Sequence, residues 1–246
     1  KIDNAALETS PIPYFIIDNF LGVECRQLEA QLFGLGRNQG DSFFRETNEI
    51  ALEDPVLSES PLVIEVGEFF KSSAFAKAIS RKMMGFVKSH SGHDRKVIER
   101  SFVRGASCTI ALTPGGENHK RRELHLDHSS TMVVFLYYIR QPGDFSSGGG
   151  LMLMSYERRL KTSTSLGGLI KGVLGINPTA LNCERLISYK TDRLVCFAEG
   201  PSAFHEVETR RFASLPRVAM HGSFGAIDAS WGPTNTLRDF VTDLIT

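Results

Sequence analysis

Six short β-type runs punctuate the chain beyond Lys96 and constrain its fold more than any other feature: Val97 to Val103, Ser107 to Leu112, Thr131 to Ile139, Leu151 to Met154, Leu194 to Phe197 and Val218 to Phe224. Each is rich in the β-branched, aromatic or long apolar side chains that suit a pleated, half-buried surface. Pro114-Gly115-Gly116, Pro142-Gly143-Asp144 and Ser147-Gly148-Gly149-Gly150 separate them. Such clusters supply the fixed or positive φ angles and local hydrogen bonds that turns demand. Strands and turns repeating at this spacing predict a sandwich or a jelly-roll barrel.

The first part of the chain reads differently. Pro13-Tyr14-Phe15-Ile16-Ile17 opens as a short strand. Leu21, Cys25, Leu28, Leu32 and Leu35 then recur at helical spacing until Gly34 and Gly36 break the pattern. Between Leu62 and Val87, Phe75, Ile79, Met83 and Phe86 share one face, and Ser72 or Ser73 offers an N-cap between two helices. These stripes are core faces for helices laid on a sheet. With 41% hydrophobic residues in 246, the chain is expected to form a single domain. Its expected parts are an N-terminal strand and supporting helices over 1–95, a β core over 96–230, and a C-terminal helix over 231–246, where Leu237, Phe240, Val241 and Leu244 are spaced helically. Tyr156 to Arg185, punctuated by Gly167, Gly168, Gly172 and Gly175 and threaded by Leu166, Leu169, Ile170, Val173 and Leu174, reads as an insertion with the composition of a lid. Gly167-Gly168-Leu169-Ile170-Lys171-Gly172 lacks the residue order of a phosphate loop.

Charge narrows the partners. Lys plus Arg and Asp plus Glu are equal at 28 each, so no global field draws the chain to nucleic acid or to an anionic membrane, and neither is expected as a partner. Cys25, Cys108, Cys183 and Cys196 are widely spaced, which predicts buried free thiols in a reducing compartment. The sequence shows no apolar run of about 20 residues, the length a membrane-spanning helix requires, and no signal-like opening. A cytoplasmic location is the expectation.

The residues that carry chemistry are His125-Leu126-Asp127 and, much later, His205. On a strand, His-x-Asp sets both ligand-type side chains on one face. A second histidine from a neighbouring strand would complete a set of two imidazoles and one carboxylate, which leaves open positions on a metal. His128 would face away from such a site. His90 and His93 lie in a Ser-His-Ser-Gly-His-Asp loop, and His221, four residues beyond Arg217, points to the same side as that arginine on a regular strand. It is read either as a packed core residue or as a contact to substrate or cosubstrate.

Context sharpens the set. After His125 come Val133-Val134-Phe135-Leu136-Tyr137-Tyr138-Ile139-Arg140, Gly149-Gly150-Leu151, Phe204-His205-Glu206-Val207 and Arg217. In this order the residues between Arg104 and Phe224 resemble the iron(II)- and 2-oxoglutarate-dependent dioxygenases of the prolyl-4-hydroxylase-like superfamily. The resemblance implies an α+β, mainly β fold, with a double-stranded β-helix (jelly-roll) core and an N-terminal helical support layer. It implies iron ligands at His125, Asp127 and His205, and Arg217 as the partner of the distal carboxylate of 2-oxoglutarate. An arginine fork suits that role because it binds a carboxylate bidentately and stays charged. Tyr138 resembles the family tyrosine that donates to the same carboxylate, and alternation then turns Tyr137 the other way. Where the family often has a tyrosine in the preceding strand, this chain has Cys108-Thr109-Ile110-Ala111-Leu112, which leaves Thr109 as the hydroxyl there.

The implied cofactors are Fe(2+), 2-oxoglutarate and O2, with ascorbate as a candidate reductant. The implied reaction is hydroxylation of an unactivated C–H bond with release of succinate and CO2. Halogenating relatives replace the carboxylate ligand with a small residue, so Asp127 speaks for hydroxylation. A small-molecule or amino-acid-like substrate is the leading expectation, and Lys120-Arg121-Arg122, Arg158-Arg159 with Lys161, and Arg210-Arg211 are either a solvated face or a mouth for an anionic ligand. The alternatives are a peptidyl (prolyl-type) hydroxylase and a cupin-like binding module without catalysis. Oligomeric state is not legible.

Overall fold

The computed structural model describes residues 1–39, 49–91, 93–113, 125, 127, 130–156, 181–200 and 203–225. In chain order the elements are β1 (Tyr14–Asp18), α1 (Val23–Gln39), β2 (Glu49–Ala51), a 3-10 turn (Pro55–Glu59), α2 (Pro61–Lys71), α3 (Ser73–Ser91), α4 (Arg95–Arg104), β3 (Thr109–Thr113), β4 (Thr131–Ile139), β5 (Leu151–Tyr156), β6 (Leu181–Ile187), β7 (Arg193–Ala198), β8 (His205–Val207) and β9 (Arg217–Gly225).

Local chemistry accounts for the helices. Cys25, Leu28, Leu32 and Leu35 are buried along α1, and Phe75, Ile79, Met83 and Val87 along α3. Ser72 caps α3 by accepting the Phe75 amide at 3.2 Å. The run Val97 to Val103, expected as a strand, is instead the helix α4. Asp94 accepts the Val97 amide at 2.9 Å, Arg95 pairs with Glu99 one turn on at 2.8 Å, and Ile98 and Phe102 are the buried positions. Two apolar residues four apart behind an aspartate cap specify a helix, and they outweigh the β propensity of the valines.

All strand pairs are antiparallel. A six-stranded sheet runs β1-β7-β4-β9-β3-β2, and a three-stranded sheet runs β6-β5-β8. β4 is buried at every position, which requires cover on both of its faces. Its odd-numbered residues, Val133, Phe135, Tyr137 and Ile139, share a core with Leu28, Phe70, Phe75, Ile79 and Phe102 of the helices. Its even-numbered residues, Val134, Leu136 and Tyr138, share a second core with Leu151, Leu153, Ile187 and Tyr189. Phe70 stacks on Phe135 at 5.0 Å, and Phe102 on Phe224 at 5.3 Å. Each such ring contributes about 1.5–3 kcal/mol by leaving water. The result is a mixed helix and antiparallel-sheet architecture compatible with a jelly-roll core.

β6 was not expected: the segment from Leu181 to Arg185, read as the end of the insertion, pairs with β5, with Cys183 opposite Met154 and Arg185 opposite Leu153. The remainder of the lid-like segment, 157–180, and the C-terminal helix expected over 231–246 lie outside the described residues. The four cysteines are free; Cys25, Cys108 and Cys196 are buried, whereas Cys183 is exposed on β6 and departs from the expectation of burial. Among the described residues no helix is long and apolar enough to cross a membrane.

Candidate metal centre

His125 is joined to His205 by a reciprocal pair of backbone hydrogen bonds, of 3.1 and 3.2 Å. This isolated bridge prolongs the small sheet beyond β8 and sets the two rings 4.3 Å apart, centroid to centroid. Asp127 lies outside any strand, so the His-x-Asp pair is not the regular strand expected from its spacing. Its side chains converge all the same. Asp127 Oδ1 is 3.6 Å from His125 Nε2, and Oδ2 is 3.7 Å from His205 Nε2. A donor atom from each of the three residues falls within 4.8 Å of the others, close enough to hold a metal ion between them.

The surroundings prepare His205 to be a ligand. Its Nδ1 lies 3.0 Å from the Ala203 carbonyl, which can only accept, so Nδ1 carries a proton and Nε2 is the ring nitrogen turned toward Asp127. Phe197, from the inner face of β7, packs edge-on against the ring at 4.8 Å. Burial by itself would push the Asp127 carboxyl up, but the hydrogen bond with His125 and the nearby His205 and His221 hold it down to about 2. The adjacent acid behaves oppositely. Burial and then the like charge of Asp127 push Glu199 up to about 9, against the pull of backbone hydrogen bonds from Asp127 and Gly200. Glu199 follows directly on the apolar strand β7 and was missed by the sequence reading.

Arg217, Ala219 and His221 share the inner face of β9, opposite Thr113, Ala111 and Thr109 of β3. Arg217 is 4% exposed. Its Nε donates to the Gly149 carbonyl at 2.8 Å, and its Nη2 has no hydrogen-bond partner among the described residues. Gly149 adopts φ +81°, and a Cβ there would come within 3.0 Å of the Arg210 side chain, so the close approach needs glycine. Tyr138, on the facing side of β4, is fully buried, and its hydroxyl also lacks a hydrogen-bond partner among the described residues. The Arg217 guanidinium lies 5.1 Å from the Tyr138 ring centre and 5.5 Å from that of Tyr189. Tyr137 faces the helices and donates to Asp192 at 2.9 Å. Thr109 sits at the His221 end of β3 and donates to the His221 carbonyl at 3.4 Å, whereas Thr113 is the threonine opposite Arg217.

Tyr189 was missed by the sequence reading. Its hydroxyl donates to the Ile139 carbonyl at 2.7 Å and accepts the Val218 amide at 3.1 Å. It therefore ties β4 to β9 beside Arg217. Arg210 is not an open mouth residue: it donates to Asp144 at 3.0 Å, to Ser146 at 2.8 Å and to the Leu215 carbonyl at 2.8 Å. The other two basic clusters and His128 lie outside the described residues. His93 is part-exposed, well apart in sequence from the converging set.

No family model matches the chain, and no curated protein matches it in sequence. Solved structures do. A prolyl 4-hydroxylase from Phytophthora capsici aligns over 89% of this chain with 16% identity and a TM-score of 0.51, and this chain spans 60% of its length. A prolyl-4-hydroxylase from Pseudomonas putida aligns over 86% of this chain and 91% of its own, with 17% identity and a TM-score of 0.45. HygX from Streptomyces hygroscopicus, solved with nickel and 2-oxoglutarate bound, aligns over 92% and 94% with 10% identity and a TM-score of 0.45. The first likeness gives this chain a prolyl 4-hydroxylase-like fold.

Proposed function

We propose that the protein is an iron(II)- and 2-oxoglutarate-dependent dioxygenase that hydroxylates a C–H bond of a small-molecule or amino-acid-like substrate. The observation that carries this reading is the pairing of two features on one inner surface. At one end His125, Asp127 and His205 present a donor set suited to a six-coordinate metal with open positions. At the other, Arg217 Nη2 and the Tyr138 hydroxyl are buried without hydrogen-bond partners among the described residues. Buried polar atoms are normally satisfied, and a buried cation beside an unpaired hydroxyl is the complement of a carboxylate. Ala219, the smallest side chain available after glycine, is the inward residue between Arg217 and His221 on β9. Along a strand those two positions are about 13 Å apart, which leaves room for a short dicarboxylate reaching from the anchor toward the metal.

In this reading His125, Asp127 and His205 hold Fe(2+). Arg217 and Tyr138 bind the distal carboxylate of 2-oxoglutarate, and Thr109 offers its hydroxyl nearer the metal end. With O2, the iron and cosubstrate supply oxidative decarboxylation to succinate and CO2 coupled to C–H hydroxylation, with ascorbate as a reductant that keeps the metal ferrous. The protein's own part is to fix the donors, neutralise the carboxylate and keep water out. The architecture is read as a double-stranded β-helix with the helices as its support layer, all within one domain.

Succinate release from 2-oxoglutarate under air tests this. The wild-type protein with Fe(2+) is expected to release succinate, faster with a substrate drawn from free amino acids and small metabolites, and the His125→Ala variant to release none. Stimulation by peptides alone moves the assignment to a peptidyl hydroxylase. Metal binding with no succinate under any condition would leave a binding module and sink the enzymatic reading.

A further inference from the structure

Glu199 directly follows β7 and is 3% exposed. Its Oε1 lies 3.6 Å from His205 Nδ1 and has no hydrogen-bond partner among the described residues. Its main chain is fixed by donation to the Met132 carbonyl at 3.0 Å, so the two central strands aim the side chain at the imidazole. A backbone hydrogen bond from Asp127 reaches the same carboxyl group. One side chain therefore touches two of the three donor residues, which come from distant parts of the sequence. The Nδ1 proton already has an acceptor in the Ala203 carbonyl at 3.0 Å, so the tautomer does not depend on Glu199. What Glu199 adds is a carboxyl group packed against the Nδ1 edge of the ring. Groups placed there hold the orientation of a histidine ligand.

We propose that Glu199 is a positioning residue for the metal centre, bracing His205 and Asp127 against each other and strengthening the hold of the site on a divalent cation. This rests on the assignment of His125, Asp127 and His205 as metal ligands made above. It places a determinant of metal affinity in a residue that does not itself coordinate.

The test is titration of the full chain with Co(II), which reports its ligand field through visible absorption, with Kd from calorimetry and Tm of each metal-free protein as the control on folding. Glu199→Gln keeps the size and one acceptor oxygen but removes the acid; Glu199→Ala removes both. Second-sphere losses of this kind weaken metal affinity about 10–100-fold. Glu199→Gln is expected near the lower end with shifted Co(II) bands and an unchanged or higher Tm, and Glu199→Ala nearer the upper end. A Glu199→Gln protein with wild-type Kd and wild-type bands overturns the inference, whether or not Glu199→Ala folds. Failure of the wild-type protein itself to bind Co(II) overturns the metal-ligand assignment, and the inference with it, so the two failures are read separately.

Discussion

At the scale of single residues, the anchor end of the site makes a prediction that separates binding from stability. Among the described residues the buried Tyr138 hydroxyl has no hydrogen-bond partner, so Tyr138→Phe removes a desolvated polar atom and none of the described hydrogen bonds. Such a change is close to neutral or stabilising. Differential scanning calorimetry is expected to show Tm equal to or above wild type, while the KM for 2-oxoglutarate rises several-fold. A clear drop in Tm would mean that the hydroxyl has a structural partner, and an unchanged KM would remove it from the carboxylate site. Arg217→Met loses a charged hydrogen-bond donor, worth about 1.5–3 kcal/mol, and is expected to raise that KM roughly 10–100-fold with a smaller effect on kcat. His125, Asp127, His205, Tyr138 and Arg217 were legible in the sequence because their order and spacing carry a pattern. Glu199 and Tyr189 were not, because each acts through contacts with residues far away in the chain, and an isolated acid or tyrosine has no spacing to read.

At the scale of elements, the sheet succeeded and failed as a sequence signal for identifiable reasons. β4 was legible end to end because nine consecutive positions are buried, and the run is long enough to be unambiguous. α4 was misread because its valines favour strand; the cap at Asp94 and the i, i+4 pair Ile98 and Phe102 decide for helix. β6 was hidden because it is exposed from Asn182 to Leu186 and carries no alternation, so only its pairing with β5 reveals it. β9 supplies the sharpest element-level test. A Cβ on Gly222 would meet the Ser107 carbonyl oxygen at 2.0 Å and the Phe135 ring at 2.4 Å. Backbone and a core ring cannot both yield, so Gly222→Ala is expected to cost about 1–3 kcal/mol or more. Urea unfolding measures this, and a variant as stable as wild type would contradict the packing of β9 between β3 and β4.

At the scale of the whole molecule, the first strand is fastened to the large sheet by an ion pair whose pH dependence can be read. Asp18 lies opposite Arg193 in the β1–β7 register, and Arg193 Nε and Nη2 donate to it at 2.6 and 3.0 Å. The hydrogen bonds from Arg193, and then from Lys190, outweigh partial burial and lower its carboxyl from 3.8 to about 2. A depressed folded-state value means that the stabilisation is present above about 3.8 and is lost as pH falls through about 2. Asp18→Asn should therefore flatten the decline of Tm over that acid window and leave the profile above it nearly parallel to wild type. An identical acid slope in both proteins would show the pair to be without effect. The same sheet, covered by helices on one face and by the small sheet on the other, gives the site a buried floor. The central claim is that this floor carries a metal at one end and a dicarboxylate anchor at the other. Anaerobic titration with iron(II) and then 2-oxoglutarate tests it most directly. A visible metal-to-ligand charge-transfer band is predicted in the wild-type protein, absent in His205→Ala and requiring far more cosubstrate in Arg217→Met. Folded wild-type protein that shows no such band at saturating iron(II) and 2-oxoglutarate would contradict the account.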